Sequence, residues 1–182
     1  MQLELSEAYT ACLVPLDAAC LEGVALSEEN YSFLTKVGLP LKGEQEINPN
    51  LPITFFSQPT VKRYPYLQHD YLLLASLDVL GELAIDLTFQ SVKQIQPVEE
   101  CIAHRVVNSS VEQFVTSLGL YQSFYAQLRA EVEKQLEQDP SFSLFEHEEL
   151  YEPILKKLRE VDAKAMKQRD FFWRRMCEPD LV

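Results

Sequence analysis

The stretch YLLLASLDVLGELAIDL, residues 71–87, decides the fold class of this chain. It opens with an apolar run that has the length of a buried β-strand, and Gly81 then marks a turn. After the turn, large apolar residues alternate with polar or small ones, which is the period of a strand with one buried face. We therefore predict two antiparallel strands here, and we expect Glu82 and Asp86 to share the outer face of the second.

Strand patterns continue on both sides of this hairpin. Downstream, residues 92–95 and 102–107 complete an antiparallel meander of three or four strands. Upstream, prolines between Pro40 and Pro65 break the chain into loops and leave one short strand, residues 53–56. The sequence predicts a mainly antiparallel sheet of about five or six strands.

Helical signals stand before the sheet. A short helix is expected near residues 4–13, ahead of a clearer one that Ser27 can cap. The first turn of this second helix is acidic, which is favourable at the positive end of the helix dipole. Gly38, followed by Pro40, ends it.

Helical period returns after the last strand. Ser109 and Glu112 form a capping box, in which each side chain can satisfy a free backbone N–H of the other. Apolar residues that include Phe114 follow at three- and four-residue spacing, which predicts a helix to about Gln138. A final helix is predicted over residues 154–176.

Strands followed by long C-terminal helices indicate an α+β domain, with helices packed against the sheet. The chain has 182 residues, and 47 % of them are apolar and 24 % charged, which is typical of one soluble globular domain. We therefore predict a single domain over residues 1–182.

The net charge is -12, from 16 Lys and Arg against 28 Asp and Glu. This excess argues against nucleic-acid or anionic-membrane partners, because both repel carboxylates. Residues 1–60 hold eight acidic and two basic residues. Two interpretations of this acidic segment stay open: it keeps the protein soluble, or it steers a basic protein partner.

A cytoplasmic location is expected. Residues 1–10 carry no Lys or Arg, so the basic region of a secretory signal is missing. The longest apolar run is far short of the roughly 20 residues that a membrane helix needs. The four cysteines lack a CxxC pair, which favours reduced thiols over a metal site.

Catalytic motifs fail on inspection. Gly38 and Gly43 have the spacing of a phosphate-binding loop, but Glu44 stands where a lysine is needed. The stretch HEELY at 147–151 lacks the second histidine of a zinc protease motif. A small hydrolase that uses His69 and Asp70 remains an alternative. We predict a protein that is not an enzyme and uses no cofactor or metal.

Candidate partner-binding residues come from the acidic first third and from the outer face of the sheet. Among the tyrosines near this face, Tyr64, Tyr66 and Tyr71 either form an interface or cover one side of the sheet. The candidates are Glu44, Glu46, Tyr64, Tyr66, Asp70, Glu82 and Asp86.

Three stretches occur in a telling order: FLTKVGLP at 33–40, the sheet passage at 71–95, and VNSSVEQF at 107–114. Together they resemble the SUKH superfamily of immunity proteins, and its fourth subfamily above all. Where that family often has a glycine turn after the second sheet strand, this chain has TFQS at 88–91. The matched structural positions are Gly38, Pro40, Asn108, Ser109, Glu112, Phe114 and Trp173.

The resemblance implies a SUKH-like fold and a non-catalytic immunity protein. Such proteins are encoded beside polymorphic toxins and are thought to neutralise them by direct binding. The implied partner is a toxin domain, for example a nuclease whose basic groove the acidic surface covers. A regulatory or scaffold module of the same fold that binds an endogenous protein is the alternative, and the oligomeric state is left open.

Overall fold

A computed structural model describes residues 4–43, 45–46, 52–98, 101–144, 147–167 and 172–177. They form a mainly antiparallel sheet with helices, so the predicted α+β class is confirmed. The helices are α1 (Glu7–Ala11), α2 (Glu28–Lys36), α3 (Val111–Gln138), α4 (Glu152–Val161) and α5 (Phe172–Met176). The strands are β1 (Leu13–Val14), β2 (Leu39–Pro40), β3 (Gln45–Glu46), β4 (Pro52–Phe55), β5 (Val61–Arg63), β6 (Asp70–Ser76), β7 (Glu82–Asp86), β8 (Val92–Val98) and β9 (Cys101–Asn108).

The main sheet follows a path of six strands within the described residues, in the order β3-β4-β6-β7-β8-β9. Strand β5 also pairs with β6, at the end of β6 that β4 leaves open. The predicted hairpin is present, with Tyr71 opposite Asp86 and Ser76 opposite Glu82. Every strand pairing in the described chain is antiparallel.

One face of the sheet carries the main core. Leu83 and Ile85 of β7 point to this face and are fully buried in one cluster with residues of α3, α4 and α5. Phe114 of α3 lies 6.2 Å from Phe55 of β4, measured between ring centroids. The alternation seen in the sequence therefore identified correctly which side chains of β7 face the main core, although the other face of the strand is also largely buried.

The predicted end of α2 is also confirmed. The backbone N–H groups of Val37 and Gly38 both donate to the carbonyl of Phe33, over 2.9 Å each. Gly38 has a φ of +91°, and a Cβ at this position would overlap the carbonyl of Val14 in β1. Pro40 follows in β2, where it pairs with Leu13. Glycine is therefore required where the chain turns from α2 into the small two-stranded sheet that β1 and β2 form.

A buried polar cluster joins β9 to the helices. The indole N–H of Trp173 donates to Asn108 Oδ1 over 2.7 Å, and the amide nitrogen of Asn108 donates to Ser117 Oγ and to Asp162 Oδ2, over 3.3 Å each. Asp162 also accepts the backbone N–H of Ser109 over 2.6 Å. Because each buried polar group has a partner, the cluster fixes how the last helices dock without an unpaired donor or acceptor.

The capping box at the start of α3 was predicted one residue too early. Ser110 is the N-cap, and its Oγ accepts the backbone N–H of Gln113 over 3.3 Å. Ser109 binds Asp162 instead, which leaves Glu112 exposed in the first turn. The helix ends at Gln138, where the sequence placed its end.

The final helix is in fact two helices. Helix α4 ends at Val161, and Oδ1 of the next residue, Asp162, accepts the backbone N–H groups of Lys164 and Ala165 over 3.0 and 3.1 Å. These bonds replace the helical hydrogen-bond pattern with a turn, although the apolar spacing continues. Helix α1 is likewise shorter than predicted, because it begins only after its N-cap, Ser6.

Candidate functional site

The outer face of the sheet, which points away from α3, carries a second, smaller apolar cluster. Tyr64 and Tyr71 are buried in it, 4 % and 2 % exposed, with Leu73, Ala84 and Ile95. The two tyrosine rings meet edge to face, with centroids 5.6 Å apart. Of the two interpretations of these tyrosines, the structure supports covering of the sheet for both residues.

Burial changes the acidity of these phenols. Desolvation raises the pKa of Tyr64 above its usual range, and the hydrogen bond that its hydroxyl donates to Glu82 raises it further. Burial and the nearby charge of Asp86 raise the pKa of Tyr71 as well. Both phenols therefore ionise at a higher pH than an exposed tyrosine does.

Tyr66 is placed differently from the other two tyrosines. It is 87 % exposed and has a φ of +71°, in the left-handed region that residues with a Cβ seldom adopt. It therefore projects from the loop between β5 and β6 and is accessible to a partner.

Two of the candidate carboxylates of the sheet, Glu82 and Asp70, are ion-paired. Glu82 accepts hydrogen bonds from Lys62 Nζ, over 2.8 and 3.1 Å, in addition to that from Tyr64. Asp70 holds the guanidinium of Arg63 in a two-point contact, over 2.7 and 3.0 Å. The negative charge of these two residues is largely compensated by β5.

Asp86, expected on an exposed face, is 1 % exposed. His69 Nδ1 lies 3.1 Å from its Oδ2, and its Oδ1 accepts the backbone N–H groups of Thr88 and Phe89 over 3.0 and 3.2 Å. Alternation assigned Asp86 to the outer face, but the loop that carries His69 covers this end of β7. Asp86 is therefore not available for direct contact with a partner in this structure.

The pairing of His69 also bears on the hydrolase alternative. His69 contacts Asp86 and not Asp70, the residue proposed from the sequence, since Asp70 is held by Arg63.

Among the described residues, no group of three or more His, Cys, Asp or Glu could hold a metal ion. In the same part of the chain, no helix combines the length and apolarity needed to cross a membrane.

Unpaired carboxylates lie elsewhere, in the first third of the chain. Glu28 and Glu29, in the first turn of α2, are exposed and have no basic partner among the described residues. Glu7 and Glu22 share these properties. The candidate residue Glu44 and the side chain of Glu46 lie outside the described residues.

The turn between β7 and β8 joins this acidic segment to the sheet. Gln90 has a φ of +59°, so a glutamine occupies the backbone conformation that favours glycine. Its Nε2 donates to the carbonyls of Ala25 and Leu87, over 2.9 and 2.7 Å, and its Oε1 accepts the N–H of Ser27 over 2.7 Å. Asn30 donates its side-chain amide to the Gln90 carbonyl over 2.9 Å. The start of α2 therefore lies directly against this turn.

Sequence reasoning did not single out Phe89, in the same turn. It is 65 % exposed, and its ring centroid lies 5.1 Å from that of His69. The signal available was the departure from a glycine turn at residues 88–91, but periodicity says nothing about which side chain such a turn presents to solvent.

The fold and this surface together define an α+β domain with helices on one side of its sheet and a compact tyrosine cluster on the other. The chain belongs to the SUKH-4 immunity protein family, whose family model matches residues 4–179. The resemblance inferred from the three sequence stretches is thereby confirmed. No curated protein and no solved structure matches the chain.

Proposed function

We propose that this protein neutralises a cognate toxin by binding the toxin domain directly, with no reaction of its own. Membership of an immunity protein family supports a protective role. The hydrolase alternative would use His69 as its catalytic base. His69 instead pairs with Asp86, whose carboxylate also accepts the backbone N–H of Phe89 in the neighbouring turn, and this pairing supports a structural role for His69.

The observation that carries the proposal is the contrast between two sets of carboxylates. On the sheet, Glu82 and Asp70 are compensated by Lys62 and Arg63. In the first third, the exposed carboxylates of Glu7, Glu22, Glu28 and Glu29 have no basic partner among the described residues, and the whole chain has a net charge of -12. An unpaired acidic surface attracts a basic protein, such as a nuclease whose groove binds phosphate.

The encounter is proposed to occur in the cytoplasm, with reduced cysteines. The thiols of Cys12 and Cys20 donate to the carbonyls of Ala8 and Asp17, over 3.2 and 2.7 Å. Both cysteines are free thiols with local structural contacts, as expected in a reducing compartment.

The test uses a toxin domain encoded in the reading frame beside this gene, the arrangement that the family resemblance implies, made as an inactive variant for binding and as the active form for growth assays. We expect this protein to restore growth and to bind the toxin domain, with an association rate that falls steeply as salt is raised. Absence of binding, or of protection, would overturn the proposal.

A charge-matched pair of variants tests the acidic surface itself. Glu28→Gln with Glu29→Gln is expected to lower the association rate several-fold at low salt. Glu137→Gln with Glu152→Gln removes the same charge from exposed positions near the end of α3 and at the start of α4, where neither carboxylate has a basic partner among the described residues, and should leave the rate nearly unchanged. Equal effects of the two pairs would contradict a role for the acidic residues of α2 beyond net charge.

A further inference from the structure

We propose that Phe89 is the anchor with which this protein docks into an apolar pocket on its toxin partner, and that Lys and Arg line the rim of this pocket on the side that faces α2. The inference rests on the proposed function and names the surface that performs it. An exposed aromatic ring is the kind of side chain that most often dominates the energetics of a protein interface. Phe89 is distinguished by the contacts that fix its position while its apolar ring stays exposed to solvent.

Asp86 fixes the first half of the turn that carries the Phe89 ring. Its Oδ1 accepts the backbone N–H groups of Thr88 and Phe89, which closes the first half of the turn. His69, in turn, lies against Oδ2 of the same carboxylate and packs its ring edgewise on Phe89. The buried carboxylate therefore positions Phe89 through both the backbone and the neighbouring ring.

Gln90 fixes the second half of the same turn. Its left-handed backbone is accompanied by side-chain hydrogen bonds to Ala25, Ser27 and Leu87. A strained backbone conformation persists only when its surroundings determine it, and such conformations cluster at functional sites. Because the turn is fixed from both sides, Phe89 loses little conformational freedom when a partner covers it.

The charge around Phe89 indicates the chemistry of the pocket. Ala25 and Ser27 are bonded to Gln90, so Glu28 and Glu29 at the start of α2 are brought to the same region as the turn. On the sheet side, Lys93 Nζ lies 5.8 Å from the ring centroid of Phe89. Unpaired carboxylates on the α2 side therefore call for Lys or Arg on the facing rim of the pocket.

The test compares Phe89→Ala with Leu136→Ala in binding to the inactive toxin domain from the neighbouring reading frame. Leu136 is an exposed apolar residue near the end of α3, 42 % exposed, and serves as the matched control. We expect Phe89→Ala to weaken binding about 10-fold or more, mainly through faster dissociation, and Leu136→Ala to have little effect. Phe89→Tyr, which keeps the ring, should retain most of the affinity.

Each outcome is decisive. Wild-type binding with equal affinities for the two alanine variants would overturn the anchor and leave the proposed function intact. Failure of the wild-type protein to bind the toxin domain would overturn the proposed function. Because Phe89 is largely exposed, its alanine variant should unfold at the same temperature as the wild type, which separates lost binding from lost structure.

Discussion

The indole N–H of Trp173 donates to Oδ1 of Asn108 over 2.7 Å, and both side chains are fully buried. Asn108→Ala leaves this donor without a partner and opens a small cavity. We expect it to lower the free energy of unfolding by about 2 kcal/mol or more, measured by equilibrium urea denaturation. Gln138→Ala, at the exposed end of α3, is the control and should change stability by less than about 0.5 kcal/mol. Equal stability of the two variants would contradict the importance of the buried bond.

Two glycines with positive φ provide a matched comparison. A Cβ at Gly38 would overlap the carbonyl of Val14, whereas a Cβ at Gly23, with a φ of +75°, would meet nothing within 4 Å. We expect Gly23→Ala to cost about 1 kcal/mol from backbone strain alone. Gly38→Ala should cost clearly more, because β1 and β2 must also move apart. Similar losses in thermal unfolding would show that the close approach at Gly38 is unimportant.

Two of the non-glycine residues with positive φ, Tyr66 and Gln90, should respond oppositely to replacement by glycine. Both have positive φ, but the Gln90 side chain binds Ala25 and Ser27, whereas Tyr66 is 87 % exposed. Gln90→Gly should lower the unfolding temperature although it relieves strain, because it removes these hydrogen bonds. Tyr66→Gly should leave the unfolding temperature unchanged or raise it. A stabilised Gln90→Gly variant would show that its side-chain bonds do not hold the turn.

Alkaline pH should destabilise the fold through its buried phenols. Burial raises the pKa of Tyr151 to about 12 and raises those of Tyr64 and Tyr121 as well. Since these folded-state values lie above the value of about 10 in an unfolded chain, the stabilisation is complete below pH 10 and is lost as the pH rises through about 10 to 12 and beyond.

The measurement for this prediction is phenolate absorbance, followed alongside circular dichroism. In the native protein, the buried tyrosines should ionise only above pH 10, whereas in denaturant they should ionise near pH 10. Tyr151→Phe should remove one of these late-titrating groups. Ionisation of every tyrosine near pH 10 while the circular dichroism remains native would contradict the burial of these side chains.

The periodicity of the sequence was sufficient for the main features of the sheet. Leu83 and Ile85 were assigned to the core, and Glu82 and Asp86 to the opposite face, because alternation is a local property of a strand. Whether that opposite face is exposed depends on a distant segment. His69 covers Asp86 and Lys62 pairs with Glu82, and no local pattern predicts those contacts.

The helix boundaries show a similar limit. Apolar spacing continues from α4 to Trp173, so the two helices were predicted as one. The break depends on Asp162, whose carboxylate binds Ser109 and the turn that follows it. An aspartate within an apolar repeat is compatible with an exposed helix position, and only the folded chain shows that this one is buried.

The tyrosine cluster leaves little of the outer sheet face available for binding a partner, because Tyr64, Tyr71 and Ile95 are already packed against one another there. Residues at the rim, such as Phe89 and Tyr66, carry almost none of that packing. In the proposed docking mode, mutations at these rim positions can therefore alter which toxin is recognised with little loss of stability, so that new binding preferences can evolve on an unaltered scaffold.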